Sequence, residues 1–317
     1  MRFRLVDRLV RDPGAERSAL IAGLRAHPAV VPPKYFYDEL GSALYGAICE
    51  LPEYYPTRTE RGIFTANRVQ IASAIGTGGQ FVDLGAGDGA KAEGWLSFLA
   101  PTRYIAVDIA AHALKTTLER LAPRFADVQM TGVVSDFTTG LDLESQLRAQ
   151  SVAFFYPGSS IGNFTPEDSI EFLRRVFAYC SRREGSGLLI GVDTKKDKAR
   201  LEAAYDDGLG VTALFNRNVL THVNRLIGSD FDVRAFRHRA LYSEPKGRIE
   251  MHLEAINRQV VTIDGTARVF DEGERIHTEN SYKYTPDEFE TLLALAGFAT
   301  VRRWQDPAGD FAVFWAA

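Results

Sequence analysis

The sequence predicts an α/β fold, a parallel sheet covered by helices on both faces and joined to a smaller mixed α+β part. From residue 61 to 195 short apolar runs alternate with segments of helical period, the pattern of a parallel sheet with crossover helices. Inside that stretch, Gln80 to Lys91 reads Gln-Phe-Val-Asp-Leu-Gly-Ala-Gly-Asp-Gly-Ala-Lys, an apolar run that meets a glycine-rich turn and then a helix start. Residues 196–286 break the alternation and 287–317 return to it. A discontinuous sheet domain, 61–195 plus 287–317, is therefore expected beside an accessory domain built from 1–60 plus 196–286.

Taken in order, the chain opens with a short charged start, then a helix over 15–26 with Leu20, Ile21 and Leu24 at helical spacing, ended by Pro28, Pro32 and Pro33. A dense aromatic block follows, Lys34-Tyr-Phe-Tyr-Asp38-Glu-Leu-Gly41-Ser42, then a segment from Ala43 to Cys49, then Leu51-Pro-Glu53-Tyr54-Tyr55-Pro-Thr57-Arg58-Thr59-Glu60. Phe36 and one tyrosine are expected in the core. The other phenols, flanked by Asp, Glu, Pro and Arg, need polar partners and are better placed lining a polar pocket.

The sheet domain is expected to hold a helix to about Ala74, strands at 80–84, 103–108, 128–135, 152–157 and 187–193, and helices to about Leu99, over 110–122 and over 166–180. Thr165, Pro166 and Asp168 mark a clear helix start. In 196–286, a helix carrying Leu201, Tyr205 and Leu209, a second helix past Phe215-Asn-Arg-Asn218 and a strand Arg248-Ile-Glu-Met251 lead to a hairpin turning at Asp264-Gly265 with type I′ geometry. Thr285, Pro286 and Glu288 then form a capping box for a helix through Ala296, stopped by Gly297 and followed by two strands.

Glycine at Gly85, Gly87 and Gly89 removes the Cβ atoms that would hold a ligand off the main chain, and the helix beyond offers unpaired N–H groups. Arg103-Tyr-Ile-Ala-Val-Asp108 ends in an acid about 20 residues further on, where such folds bind ribose hydroxyls through a carboxylate. Val133-Val-Ser-Asp136-Phe137 is a third apolar run ending in an acid, here with an aromatic beside it. The glycine spacing is not the Gly-x-Gly-x-x-Gly of dinucleotide folds. Together these strand ends resemble the class I S-adenosylmethionine-dependent methyltransferases, a Rossmann-like fold.

Composition excludes several other classes. A formal net charge of -4 and a pI near 5.9 give no concentrated basic surface, so no nucleic-acid partner is expected. Cys49 and Cys180 form no Cys-x-x-Cys pair, and the six histidines show no ligand spacing backed by a carboxylate, so neither a disulfide framework nor a metal is expected. The N-terminus lacks the apolar core of a signal peptide, and no run approaches the roughly 20 apolar residues of a membrane span. A cytoplasmic monomer acting on a small molecule is expected.

Tyr35-Phe-Tyr-Asp38 with Gly41-Ser42, the Leu51-to-Glu60 string, Gly158-Ser-Ser-Ile-Gly-Asn163 and Phe215-Asn-Arg-Asn218 together resemble the L-histidine N-alpha-methyltransferase family of ergothioneine biosynthesis, from about residue 30 onward. The resemblance implies trimethylation of the histidine amino nitrogen to hercynine. It implies a substrate pocket of Tyr37, Tyr54, Gly158, Asn163, Tyr205, Met251, Glu279 and Ser281, with Asn163 and Tyr205 on the carboxylate, Glu279 and Ser281 on the imidazole, and Tyr37 and Asn163 as the catalytic pair. For S-adenosylmethionine it implies Tyr54, Gly85, Lys91, Asp108, Asp136 and Phe137, with Asp108 on the ribose and Asp136 and Phe137 on the adenine. The loop departs from the family in carrying Asp88-Gly89 where Ser or Thr is usual.

The i, i+2 spacing of Glu279 and Ser281 puts both side chains on one face of an extended strand. The chemistry asks for a neutral amine aligned with a methyl donor and shielded from water, so Tyr37 is expected to orient rather than to act as a strong base. A permanently cationic product would rest against aromatic faces such as Tyr37, Tyr45 or Phe155. Two rivals remain: a methyltransferase for another aromatic amino acid such as tyrosine or tryptophan, and an inactive cofactor-binding module. Glu279 favours a ring that donates hydrogen bonds.

Overall fold

The strand Gln80–Leu84 lies inside an eight-stranded sheet, with the order Phe3–Asp7, Gln129–Val134, Arg103–Asp108, Gln80–Leu84, Val152–Tyr156, Gly187–Asp193, Phe311–Ala316, Val301–Gln305. The first six strands are parallel; Phe311–Ala316 runs antiparallel to Gly187–Asp193, and Val301–Gln305 antiparallel to Phe311–Ala316. The chain leaves Gln80–Leu84 toward one edge and returns on its other side at Val152–Tyr156. That reversal is the topological switch point, where a ligand crevice opens at the carboxyl ends of the strands.

In this computed structural model, which describes residues 3–9 and 12–317, the chain forms two units. The first comprises 3–9, 58–194 and 284–317, and the second 12–57 and 195–283. Every residue of Gln80–Leu84 and Val152–Tyr156 is buried, as expected for strands covered on both faces. Phe81 and Phe155 stack at 5.4 Å between ring centres, and Phe64 meets Trp95 edge-on at 5.3 Å. Phe155 is thus a fully buried core residue and offers no face to a cationic product, contrary to expectation.

The start of the chain also differs. Phe3–Asp7 is a strand paired in parallel with Gln129–Val134, so this segment belongs to the sheet and not to an accessory part. It is an edge strand with exposed Arg4, Leu5 and Asp7, so little burial constrains its composition. Helix starts follow local chemistry closely. Thr165 accepts from the Asp168 N–H at 3.1 Å, and Thr285 with Glu288 forms a reciprocal capping box.

In the second unit a four-stranded sheet has the order Ala29–Val30, Arg275–Tyr282, Arg248–Ala255, Phe236–Ser243. Phe236–Ser243 had no counterpart in the sequence reading, because its arginines interrupt the apolar alternation. The helix Val211–Ile227 buries Phe215, Val219, Leu220, Val223 and Ile227 in the core of this unit. The turn between Gln259–Ile263 and Thr266–Phe270 has positive φ at both Asp264 (51°) and Gly265 (71°), as a type I′ turn requires. The expected helix through Leu209 ends early: it spans Lys198–Ala203, and Leu209 is 79% exposed. Asp207 stops it by accepting from the N–H groups of Val211 and Thr212, which starts the next helix.

Candidate active site

In the first unit the glycine turn is held from both sides. The Gly87 N–H donates to Asp108 Oδ2 at 2.9 Å, while the Thr117 hydroxyl donates to the Gly87 carbonyl at 2.9 Å. Gly85, with φ of 72°, is exposed, and a Cβ placed there would lie 3.8 Å from the Phe137 ring. Phe137 itself stands edge-on to Tyr156 at 5.7 Å. Gly85, Asp108 and Phe137 are thereby brought to one crevice at the sheet's carboxyl edge.

Asp136 spends part of its carboxylate on its own turn, Oδ1 accepting from the Thr138 N–H at 3.0 Å and from the Thr138 hydroxyl. Asp88 accounts for the departure in the loop. Its carboxylate accepts from the Ala90 N–H at 3.0 Å, so it satisfies the first N–H of the helix Ala90–Leu99 from the residue before the N-cap, Gly89. Asp83, the acid of the glycine motif, is buried and takes a hydrogen bond from the Tyr104 hydroxyl at 2.8 Å; burial pushes its pKa up to about 7.

Lys91 does not stand alone. Its ammonium pairs with Glu60 Oε2 at 2.6 Å, and the other oxygen of Glu60 accepts from the Gly158 N–H at 2.7 Å. Glu60 is 1% exposed and presses on the sheet so closely that a Cβ at Gly191 would meet its Oε1 at 2.1 Å. The sequence reading missed Glu60 as a site residue, although it closes the most distinctive string in the chain. Gly158 (φ 82°) and Ser159 (φ 59°) turn the loop after Val152–Tyr156, and the Ser159 hydroxyl accepts from the Asp193 N–H at 2.9 Å. Asn163 ends the short helical turn that follows and is exposed.

The second unit carries the phenols and Glu279. Tyr37, Tyr45, Tyr54 and Tyr205 form an arc of edge-to-face neighbours, with ring centres 5.9, 6.5 and 6.2 Å apart in succession. Tyr37 keeps 45% of its surface open, yet it is crowded by protein, a combination that marks a concave wall. That crowding, then the nearby Tyr45 and Glu279, hold its pKa well above the ordinary phenol value. Tyr37 and Glu279 therefore share one neighbourhood.

A bulge sets the direction of Glu279. His277 pairs with His252 and Glu279 with Met251, so Thr278 is an extra residue in its strand. Without it, Glu279 would point to the same face as His277; with it, Glu279 and Ser281 share the face of Met251 and Ile249. Glu279 is 9% exposed, has no hydrogen-bond partner among the described residues, and is pushed up to about 7 by burial, Lys283 pulling the other way. A buried carboxylate without a partner is costly unless a ligand supplies one. The Tyr205 hydroxyl donates to Ser281 Oγ at 2.8 Å, and buried Lys283 donates to both oxygens. Lys283 is the second residue the sequence reading missed, two places beyond Ser281 in the same alternation.

The donor set and the glycine turn fit S-adenosylmethionine: an open main-chain cradle at Gly85, a carboxylate at Asp108 for a ribose, and an aromatic wall at Phe137. A family model described as histidine-specific, S-adenosylmethionine-dependent methyltransferase matches residues 16–317. A histidine N-alpha-methyltransferase of Mycobacterium tuberculosis (strain CDC 1551 / Oshkosh) is 39% identical over 100% of both chains. Another from Mycolicibacterium smegmatis is 39% identical over 98% of both. An ergothioneine biosynthesis protein 1 of Neurospora crassa is 31% identical over 87% of this chain and 32% of its own length. The chain belongs to the family of histidine-specific, S-adenosylmethionine-dependent methyltransferases.

Proposed function

We infer that this protein transfers methyl groups from S-adenosylmethionine to the α-amino nitrogen of L-histidine, three in succession, to give hercynine as a step of ergothioneine biosynthesis. The observation that carries the substrate is Glu279, a buried carboxylate without a hydrogen-bond partner among the described residues, beside an arc of four tyrosines. An imidazole N–H supplies the missing donor. The indole of a tryptophan substrate has an N–H and no bare nitrogen, so it would leave the second polar group, Ser281, without an acceptor.

S-adenosylmethionine supplies a methyl group on a positively charged sulfur, a leaving group good enough that alignment matters more than acid–base chemistry. Gly85, Lys91, Asp108, Asp136 and Phe137 are assigned to holding it. Lys91 would do so from a position fixed by Glu60.

The amine must present a lone pair. Beside the positive sulfur of the cofactor the charged ammonium would be disfavoured, so its pKa would fall and the proton would pass to solvent without a dedicated base. Tyr37, its pKa held well above the ordinary phenol value, stays protonated there and serves as an orienting hydroxyl. Glu279 and Ser281 hold the ring, so the amine returns to the same place after each transfer; Tyr205 gives its hydroxyl hydrogen to Ser281 and so supports that pair, and its role toward the carboxylate rests on the family resemblance. Tyr37, Tyr45 and Tyr54 offer ring faces to the growing cationic charge. The roles of Gly158 and Asn163 toward substrate, and of Tyr54 toward cofactor, rest on the family resemblance.

Incubation with S-adenosylmethionine and histidine, tyrosine or tryptophan in turn, read by mass spectrometry, tests this. Histidine alone should gain three methyl groups. Methylation of tyrosine or tryptophan in preference to histidine would move the reading to the rival substrates, and no methylation would leave an inactive binding module. Among the described residues no helix is long and apolar enough to cross a membrane. A monomer in the cytoplasm, without nucleic acid, completes the proposal; size-exclusion chromatography with light scattering checks the first part.

A further inference from the structure

Asn216, in the Phe215-Asn-Arg-Asn218 stretch, has no part in the site so far. It is fully buried on the helix Val211–Ile227, and every polar atom of its amide is used. Oδ1 accepts from the Thr278 hydroxyl at 2.8 Å. Nδ2 donates to the His252 carbonyl at 3.0 Å and to His238 Nδ1 at 2.8 Å.

These partners are specific. Thr278 is the extra residue of the bulge, and its hydroxyl also lies 3.0 Å from the Met251 carbonyl. His252 sits on the opposing strand at the same place. One amide thus clamps both strands at the irregularity that turns Glu279 onto the face of Met251. Because Asn216 is the donor to Nδ1, His238 carries its proton on Nε2, which donates to the Tyr205 carbonyl at 2.8 Å. Burial lowers the His238 pKa and keeps the ring neutral in that tautomer.

We propose that Asn216 is a positioning residue for the amino-acid site, fixing Glu279 through the Thr278 bulge and Tyr205 through His238. It touches neither substrate nor cofactor. The proposal rests on the assignment of Glu279 and Tyr205 to histidine. It follows that loss of the clamp should act on histidine binding and leave cofactor binding alone, because the residues assigned to most of the cofactor lie in the other unit.

The test compares Asn216→Asp, Thr278→Val and Thr278→Ser with the parent protein. Asn216→Asp keeps the shape and the acceptor but removes both donors. Thr278→Val keeps the shape and removes the hydroxyl; Thr278→Ser keeps the hydroxyl. For each, KM for histidine and kcat are measured beside the dissociation constant of S-adenosylmethionine by calorimetry, with near-ultraviolet circular dichroism reporting tertiary structure. Asn216→Asp and Thr278→Val should raise KM for histidine about tenfold or more, the size expected when an orienting buried hydrogen bond is lost. The S-adenosylmethionine constant should stay within about twofold, and Thr278→Ser should restore the parent KM.

An unchanged KM in well-folded Thr278→Val overturns the proposal. So does a parallel decline of histidine and cofactor binding, which marks general loss of structure, or failure of Thr278→Ser to restore KM. If Asn216→Asp does not fold, the Thr278 pair decides. A parent protein that leaves histidine unmodified sinks the substrate assignment and this proposal with it; a parent that methylates histidine while the variants behave normally overturns this proposal alone.

Discussion

Lys283 lies 2.8 Å from Ser281 Oγ and 2.9 Å from the Tyr205 hydroxyl, at a position 1% exposed. It donates to both oxygens, and a single hydrogen bond links the two hydroxyls. One O–H of the pair is therefore left to point at a ligand. With Tyr205 donating to Ser281, the outward donor is Ser281. Glu279 can only accept when ionised. A donor and an acceptor side by side match a neutral imidazole, which has one bare nitrogen and one N–H.

Lys283→Met should therefore loosen the histidine site at two points. The Ser281 hydroxyl loses the partner that fixes its direction, and Glu279 loses the positive charge that restrains its pKa. KM for histidine should rise by about tenfold at pH 7, and by less at pH 9, where Glu279 ionises even without Lys283. Equal loss at both pH values would mean that Lys283 acts on the hydroxyls alone.

Glu279 itself makes a signed prediction about pH. Its folded pKa is raised from 4.5 to about 7, so the unfolded chain ionises first as pH increases. The folded state is then disfavoured progressively between about pH 4.5 and 7, by an amount on the order of 3 kcal/mol, and levels off above. Glu279→Gln removes that penalty, so it should be more stable than the parent at pH 8 and similar at pH 4. Histidine affinity should fall in the same variant, and the acid limb near pH 7 in the parent's kcat/KM should disappear. Denaturant melts at the two pH values decide it; a destabilised Gln variant at pH 8 contradicts the burial argument.

Glu60 predicts an effect on the other half of the chemistry. Its two oxygens hold the Lys91 ammonium and the Gly158 N–H, and it is buried where Lys91 is partly open. In Glu60→Gln the amide oxygen can keep Gly158, but the ion pair is lost. Affinity for S-adenosylmethionine should drop by about tenfold with KM for histidine less affected, and the midpoint of thermal unfolding should fall. Titration calorimetry with the cofactor checks the first outcome. Full retention of affinity would remove Lys91 from the cofactor assignment.

Much of the sheet was legible because buried parallel strands leave little freedom: Gln80–Leu84 and Val152–Tyr156 must be apolar on both faces. Edge strands escape that demand, and Phe3–Asp7 and Phe236–Ser243 passed unnoticed for that reason. The i, i+2 relation of Glu279 and Ser281 held, since it needs only alternation after the bulge. The bulge itself left no sign in the sequence, because an extra residue is visible only against the partner strand. Lys283 and Glu60 were missed for a related reason: Lys283 meets Tyr205 78 residues away and Glu60 meets Gly158 98 residues away in the chain, and a charged side chain looks like a solvated one until its burial is known.

Tyr37 separates an orienting role from a basic one. Protein crowding and its neighbours Tyr45 and Glu279 raise its pKa well above the ordinary phenol value, so near pH 7 it has no anionic form to take a proton. Tyr37→Phe keeps the ring face and its 5.9 Å packing against Tyr45, and removes only the hydroxyl. If the hydroxyl orients, kcat should fall by about tenfold or less, with the pH profile unmoved. If it were the general base, the loss would be about 100-fold or more and the profile would change shape. The pH dependence of single-turnover methylation distinguishes them, because product release does not contribute. A large loss with a displaced acid limb would assign proton removal to Tyr37 and overturn deprotonation by solvent.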